Sequence, residues 1–282
     1  MRILRLFLLV LFLATTAVFG LNQYRTYKDR DNVAPVIRSD KDELHLSVNS
    51  TDKDLLKGVT ATDDRDGDVT ATLVVAGRSN FIEEGVIKVD YSAFDSHNNV
   101  GTYSRRVVYD DYHSPRFHSQ KPLAMRLSSS YDFDFFTAED VLSGDISRKI
   151  KVLTNSTGSA TTGEYPIELE VTNEYGDVEK LDLILNVYSA AEFNRRYPAL
   201  SEYIIYVPVG SEPDLSEYLI GIRQGENVMT FEEAKSDPYY VDIDDSLVNY
   251  DEPGVYTVDY DLWLSYTLTT HTKMIVIVTE DF

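Results

Sequence analysis

Four aspartates crowd one glycine in the stretch Ala61-Thr62-Asp63-Asp64-Arg65-Asp66-Gly67-Asp68-Val69-Thr70. Carboxylates set close together on a tight turn supply oxygen donors of the kind calcium takes up. Asp63, Asp64, Asp66 and Asp68 are therefore the candidate ligands of a calcium ion. The run is not an EF-hand loop, which needs glycine at its sixth position and a bidentate glutamate at its twelfth. The competing reading is a turn whose Asp side chains accept hydrogen bonds from nearby backbone amides.

Other chemistry is sparse. The five histidines, His45, His97, His113, His118 and His271, show no i, i+4 metal pair. There is no cysteine, which excludes disulfides, thiolate metal sites and Cys nucleophiles. No Gly-x-Ser-x-Gly elbow precedes a helix pattern. The chain is therefore expected to be no enzyme and to need no cofactor beyond the calcium just considered. Trp263, the single tryptophan, lies beside Tyr256 and Tyr260 in an alternating segment. Those three form a candidate contact patch for a sugar or a protein if exposed. Packing in a core or between domains is the alternative, because tyrosines are ordinary strand residues.

The elements that must position these residues are strands. The chain has 282 residues, 43% of them hydrophobic, with twenty Tyr and twelve Phe. That is enough apolar surface for two or three modules of about 100 residues. Lys and Arg number 26 against 47 Asp and Glu, a net charge of −21. Such a body repels phosphate backbones, so no nucleic-acid partner is expected.

Three segments repeat one pattern. Gly85 opens GVIKVDYSAFDSHNN, Gly163 opens GEYPIELEVTNEYGD and Gly254 opens GVYTVDYDLWLSYTL. Each is a turn glycine followed by alternating apolar and polar residues, a half-buried antiparallel strand. A further strand follows in each: Ser104–Tyr109, Leu181–Val187 and Met274–Val278. Gly67-Asp68-Val69-Thr70 is matched by Gly144-Asp145-Ile146-Ser147, and Ala34-Pro35-Val36-Ile37 by Ser114-Pro115-Arg116-Phe117. The boundaries expected are a linker over 22–32 and domains over 33–112, 113–190 and 191–282. The short Asp110–Ser114 connection predicts close stacking of the first two domains. SAAEFNRRYPALSE, from Ser189 to Glu202, predicts a turn of helix.

Residues 1–21, MRILRLFLLVLFLATTAVFGL, place a basic start before an apolar run and read as a signal peptide or an uncleaved membrane anchor. Counted from Ile3, nineteen residues just span a bilayer, with Tyr24 and Tyr27 as interfacial anchors. Both readings place the body outside the plasma membrane, secreted or held at the cell wall.

The motifs resemble a bacterial surface immunoglobulin-like family, the module of unknown function called DUF5011, related to hyalin repeats. The resemblance rests on Pro35-Val36-Ile37, the Ala61–Thr70 run, Tyr91-Ser92-Ala93-Phe94-Asp95 and Arg105-Arg106-Val107-Val108. It covers 34–111 best, 114–188 less well and 191–282 least. Asn98-Asn99 stands where the family has Gly-Asn, and Asn tolerates the same left-handed turn. The resemblance implies tandem immunoglobulin-like β-sandwiches in an all-β protein, located at a bacterial cell surface. The expected function is structural, adhesive or display, with glycan binding at the envelope as the alternative. The partner would be a surface protein or glycan, and the membrane through the N-terminal segment.

Overall fold

The computed structural model describes residues 2–28, 31–128, 132–153, 161–233, 239–264 and 267–280. The Asn155-Ser156-Thr157 glycosylation sequon, and the end of the 230–235 segment, which has capping-box spacing between Thr230 and Glu233, lie outside them.

The N-terminal helix runs Arg2–Lys28. Its apolar part, Ile3–Tyr24, is long and apolar enough to cross a membrane. At 1.5 Å per residue these 22 residues measure roughly 33 Å, against a hydrocarbon core of about 30 Å. The helix continues through Asn22–Lys28, where a linker was expected. No glycine or proline interrupts that stretch, and Gln, Arg and Lys are good helix formers.

The rest is β-structure, and the chain is an all-β protein of sandwich domains after one apolar helix. Within residues 36–109, 116–188 and 196–279 the same plan recurs, a three-stranded sheet with a four-stranded one. In the first, Val59–Asp63 pairs antiparallel with Val36–Ser39 on one side and Gly67–Asp68 on the other. The four-stranded sheet is built on the hairpin Val86–Phe94 and Val100–Tyr109. The matching hairpins are Gly163–Thr172 with Val178–Tyr188, and Gly254–Leu264 with Thr267–Thr279. Two compact units result. Most of the helix-bearing first sandwich forms one, and the second and third sheet pairs fall together in the other.

Alternation places the cores as the period-two argument requires. Val89, Tyr91 and Ala93 are fully buried, while Lys88 and Asp90 between them face out. Phe94, at the end of the Val86–Phe94 strand, is exposed. One polar exception is Arg105 of the closing strand, which is buried. Its Nη2 donates to Leu55 O at 2.6 Å and its Nη1 to Lys57 O at 3.0 Å, and its guanidinium lies over the Tyr91 ring. Burying a cation is tolerable only when carbonyls and hydroxyls replace its water, as they do here.

The second and third sheet pairs share apolar surface. Ile204 and Ile275 pack into the same cluster as Phe117, Leu169 and Leu183. Phe117 N donates to Tyr206 Oη at 2.8 Å, and Tyr203 N to Ser119 O at 2.7 Å. The predicted helical turn is Ala190–Phe193, started by a reciprocal capping box between Ser189 and Glu192.

Candidate functional site

The turn after Val59–Asp63 is built from the aspartates the sequence singled out. Asp63 Oδ1 accepts from Arg65 N at 2.9 Å and Asp66 N at 3.0 Å. Asp68 Oδ1 accepts from Thr70 N at 2.9 Å, and Thr70 Oγ1 in turn accepts from Ala61 N at 3.0 Å. Gly67 sits at φ +75°, a conformation open to glycine at little cost. Asp66 reaches across to Ser96, accepting from its N at 2.7 Å and its Oγ at 3.0 Å. Asp64, Asp66 and Asp68 are exposed. Three of the four candidates thus line the outside of the turn and do not converge.

Asp63 turns inward and meets two carboxylates from elsewhere. One oxygen each from Asp31, Asp63 and Asp95 lie within 4.8 Å of one another. Their residues are 5%, 8% and 7% exposed. Asp31 follows the helix and holds Val33 N through Oδ1 at 3.0 Å. Asp95 ends the long Val86–Phe94 strand, and its Oδ1 accepts from His97 N and Asn99 N, each at 2.8 Å. Asn99 Nδ2 donates to Asp95 Oδ2 at 2.6 Å. Among the described residues, Asp31 Oδ2 and Asp63 Oδ2 have no hydrogen-bond partner. Arg65 Nε stands 3.7 Å from Asp31 Oδ2 on a side chain that is 45% exposed.

The electrostatics favour the charged forms of Asp63 and Asp95. Backbone amides of Asp66 and Arg65 hold Asp63 below the usual carboxylate range, against burial and the neighbouring Asp95. Burial opposes charge on Asp95, but the Asn99 side chain and the amides of Asn99 and His97 outweigh it and leave its carboxyl lowered too. Asp31 and Asp95 were not among the expected ligands. The signal for Asp95 was its place at the end of the Tyr91-Ser92-Ala93-Phe94-Asp95 strand, and Asp31 offered none beyond standing four residues before Pro35.

The aromatic candidates separate. Tyr260 is fully buried and its Oη donates to Leu215 O at 2.8 Å, the bond that Tyr91 makes to Leu55 O in the first sandwich. It takes no part in an exposed patch, because the third position of the inward row is a core position. Tyr256 is partly buried against the core of the third sheet pair and donates to Glu252 O at 3.0 Å. Trp263 stands on the opposite face from Tyr260 and Leu262, where a bulge at Leu262/Trp263 shifts the register. It stacks on its cross-strand neighbour Tyr240, the rings 6.1 Å apart and 4° from parallel. Tyr240 is 54% exposed.

A cavity of about 310 Å³ lies between the second and third sheet pairs, lined in part by Tyr188, Tyr197, Arg223 and His271. Asp182 is the one acidic residue in its lining. Arg223 is buried between the Phe193 and Tyr197 rings and donates through Nη1 to Gly225 O at 2.9 Å. His113 Nδ1 donates to Ser114 O at 2.8 Å, and the His118 ring lies beside that of Tyr206.

No protein-family model matches the chain. Over an aligned length of 137 residues, covering 45% of this chain and 18% of that protein, the chain is 28% identical to the pesticidal crystal protein Cry22Aa of Bacillus thuringiensis. Among solved structures, the CBM51-2 and INT domains of Clostridium perfringens ZmpB, in complex with GlcNAc, are similar at TM-score 0.22 and 18% identity. The match covers 55% of this chain and 42% of that one. The protocadherin GammaB4 extracellular domain is similar at TM-score 0.20 and 13% identity, over 89% of this chain and 50% of that one. Domains 4–9 of the surface layer protein SbsC reach TM-score 0.19 at 12% identity, over 87% and 50%. Likenesses this slight carry no argument about what the chain binds.

Proposed function

We propose that the chain is a non-enzymatic surface protein that carries a row of sandwich domains outside a bacterial membrane, as a spacer or adhesive stalk. The observation that supports this most is the pairing of a spanning-length apolar helix with domains built for stiffness. In the second unit, Ile204 and Ile275 complete the core of the preceding sheet pair. Domains that share a core resist bending at their junction, as a stalk requires. The −21 charge keeps such a body soluble and off like-charged surfaces.

Because the chain has no cysteine, a single reporter can be placed cleanly. Leu247 is 77% exposed on a turn, so Leu247→Cys is expected to react in intact cells with a membrane-impermeant maleimide. Labelling only after lysis would refute an outward body.

A second reading, glycan contact at the envelope, is favoured by the Tyr240–Trp263 stack, which offers a flat aromatic surface. It predicts that Trp263→Ala abolishes retention on a glycan array on which the parent chain is retained.

A further inference from the structure

We propose that Asp31, Asp63 and Asp95 hold one calcium ion, which ties the segment following the N-terminal helix to the first sandwich. Three carboxylates more than nine-tenths buried, each fixed by a backbone amide on one oxygen, are pre-set with oxygens close enough to share a ligand. Two of the remaining oxygens, Asp31 Oδ2 and Asp63 Oδ2, have no hydrogen-bond partner among the described residues. Buried charges persist when they are paired or coordinate a metal, and the ion pair seen among the described residues, Arg65 Nε to Asp31 Oδ2 at 3.7 Å, reaches one of the three carboxylates from a side chain that is 45% exposed. The donors are all oxygen, with no His or Cys among them, which selects a hard cation over zinc. Calcium accepts irregular shells of six to eight oxygens, completed by carbonyls and water, where magnesium demands a near-ideal octahedron.

The second sandwich supplies an internal control. Asp140 stands where Asp63 does, at the end of a strand of the same burial pattern, and caps Leu142 N and Ser143 N in the same way. The position of Asp95 is taken there by Asn173, whose Oδ1 accepts from Tyr175 N and Asp177 N. Its Nδ2 donates to Asp140 Oδ1 at 3.0 Å and to Tyr112 Oη at 3.0 Å. An amide N–H thus does in the second sandwich what a cation would do in the first.

The test is calcium binding by calorimetry and thermal melting of the full chain in detergent, with chelator, calcium or magnesium. The parent is expected to bind one calcium at this site. Its melting point should rise on the order of 10 °C at a hundredfold excess over Kd, and less with magnesium. Asp95→Asn copies the second sandwich. It should fold, lose this binding at least tenfold, and show at most about half the parent's melting shift at the same calcium concentration. Asp68→Ala, on the outside of the turn, should keep both binding and shift. A parent that neither binds nor shifts overturns the proposal. So does binding that survives Asp95→Asn or disappears in Asp68→Ala.

Discussion

The first and second sandwiches solve one packing problem in opposite ways. Both end the central hairpin strand in a five-residue turn with the fourth residue left-handed, Asn98 at φ +63° and Gly176 at φ +84°. In the first, the turn starts with Asp95 and ends with Asn99. In the second it starts with Asn173 and ends with Asp177. Carboxylate and amide have traded places. On a shared backbone geometry, the amide at the first position donates a hydrogen bond to the neighbouring Asp140, whereas the carboxylate adds a third buried carboxyl group beside Asp63 and Asp31. The same frame therefore yields a closed hydrogen-bond network in one copy and a cation-ready pocket in the other.

The largest way to break this comparison is Asn173→Asp. It removes the donor to Asp140 and places a second carboxylate against it, so unfolding measured in chelator should show a loss of about 2–3 kcal/mol. A variant as stable as the parent would mean the amide is not what closes the second site.

Next comes transplanting the second pairing onto the first, as Asp95→Asn with Asn99→Asp. In chelator its melting temperature should exceed the parent's by several degrees, because a buried repulsion becomes a hydrogen bond. An unchanged or lower melting temperature would show that the parent's three carboxylates are already compensated without a cation.

Gly67→Ala and Gly144→Ala probe the shared frame rather than the difference. Both glycines are left-handed, φ +75° and +69°, with open space where a Cβ would stand. Each substitution should cost about 1 kcal/mol from the backbone alone, equally in both sandwiches. Unequal denaturant midpoints would show that the two turns are not equivalent.

A further probe concerns a third way of tolerating acid, by keeping its proton. Burial, with Asp177 and Glu84 nearby, pushes Glu179 up from 4.5 to about 7. The folded state then holds a proton that the unfolded chain releases. Stability from this group is full below about pH 4.5 and falls as pH rises through about 7. Glu179→Gln should flatten that slope in melts run from pH 5 to 8, and a slope unchanged by the variant would remove Glu179 as its source.

The sheet architecture was legible because it is local. Alternation in GEYPIELEVT places Ile167, Leu169 and Val171 inward, and those residues are buried. The turn glycines and the Asn98 left-handed position follow from φ/ψ sterics, which each residue carries with it. For Tyr260 the sequence left a contact patch and core packing both open, and the choice falls to the core, where its hydroxyl donates to the carbonyl of Leu215, 45 positions away.

The site divides the same way. By itself the sequence determined that Asp63 and Asp68 cap a tight turn, since their partners lie two or three residues on, within reach of any chain that turns there. Only the tertiary structure decided that Asp63 faces Asp31 and Asp95 while Asp64, Asp66 and Asp68 face water. Those three carboxylates come from a post-helical segment, a strand end and a hairpin turn, and nothing in their separate neighbourhoods marks them as one group. Packing of the two sheets on each other brings these strand ends together, and it acts between residues that composition and spacing treat as strangers.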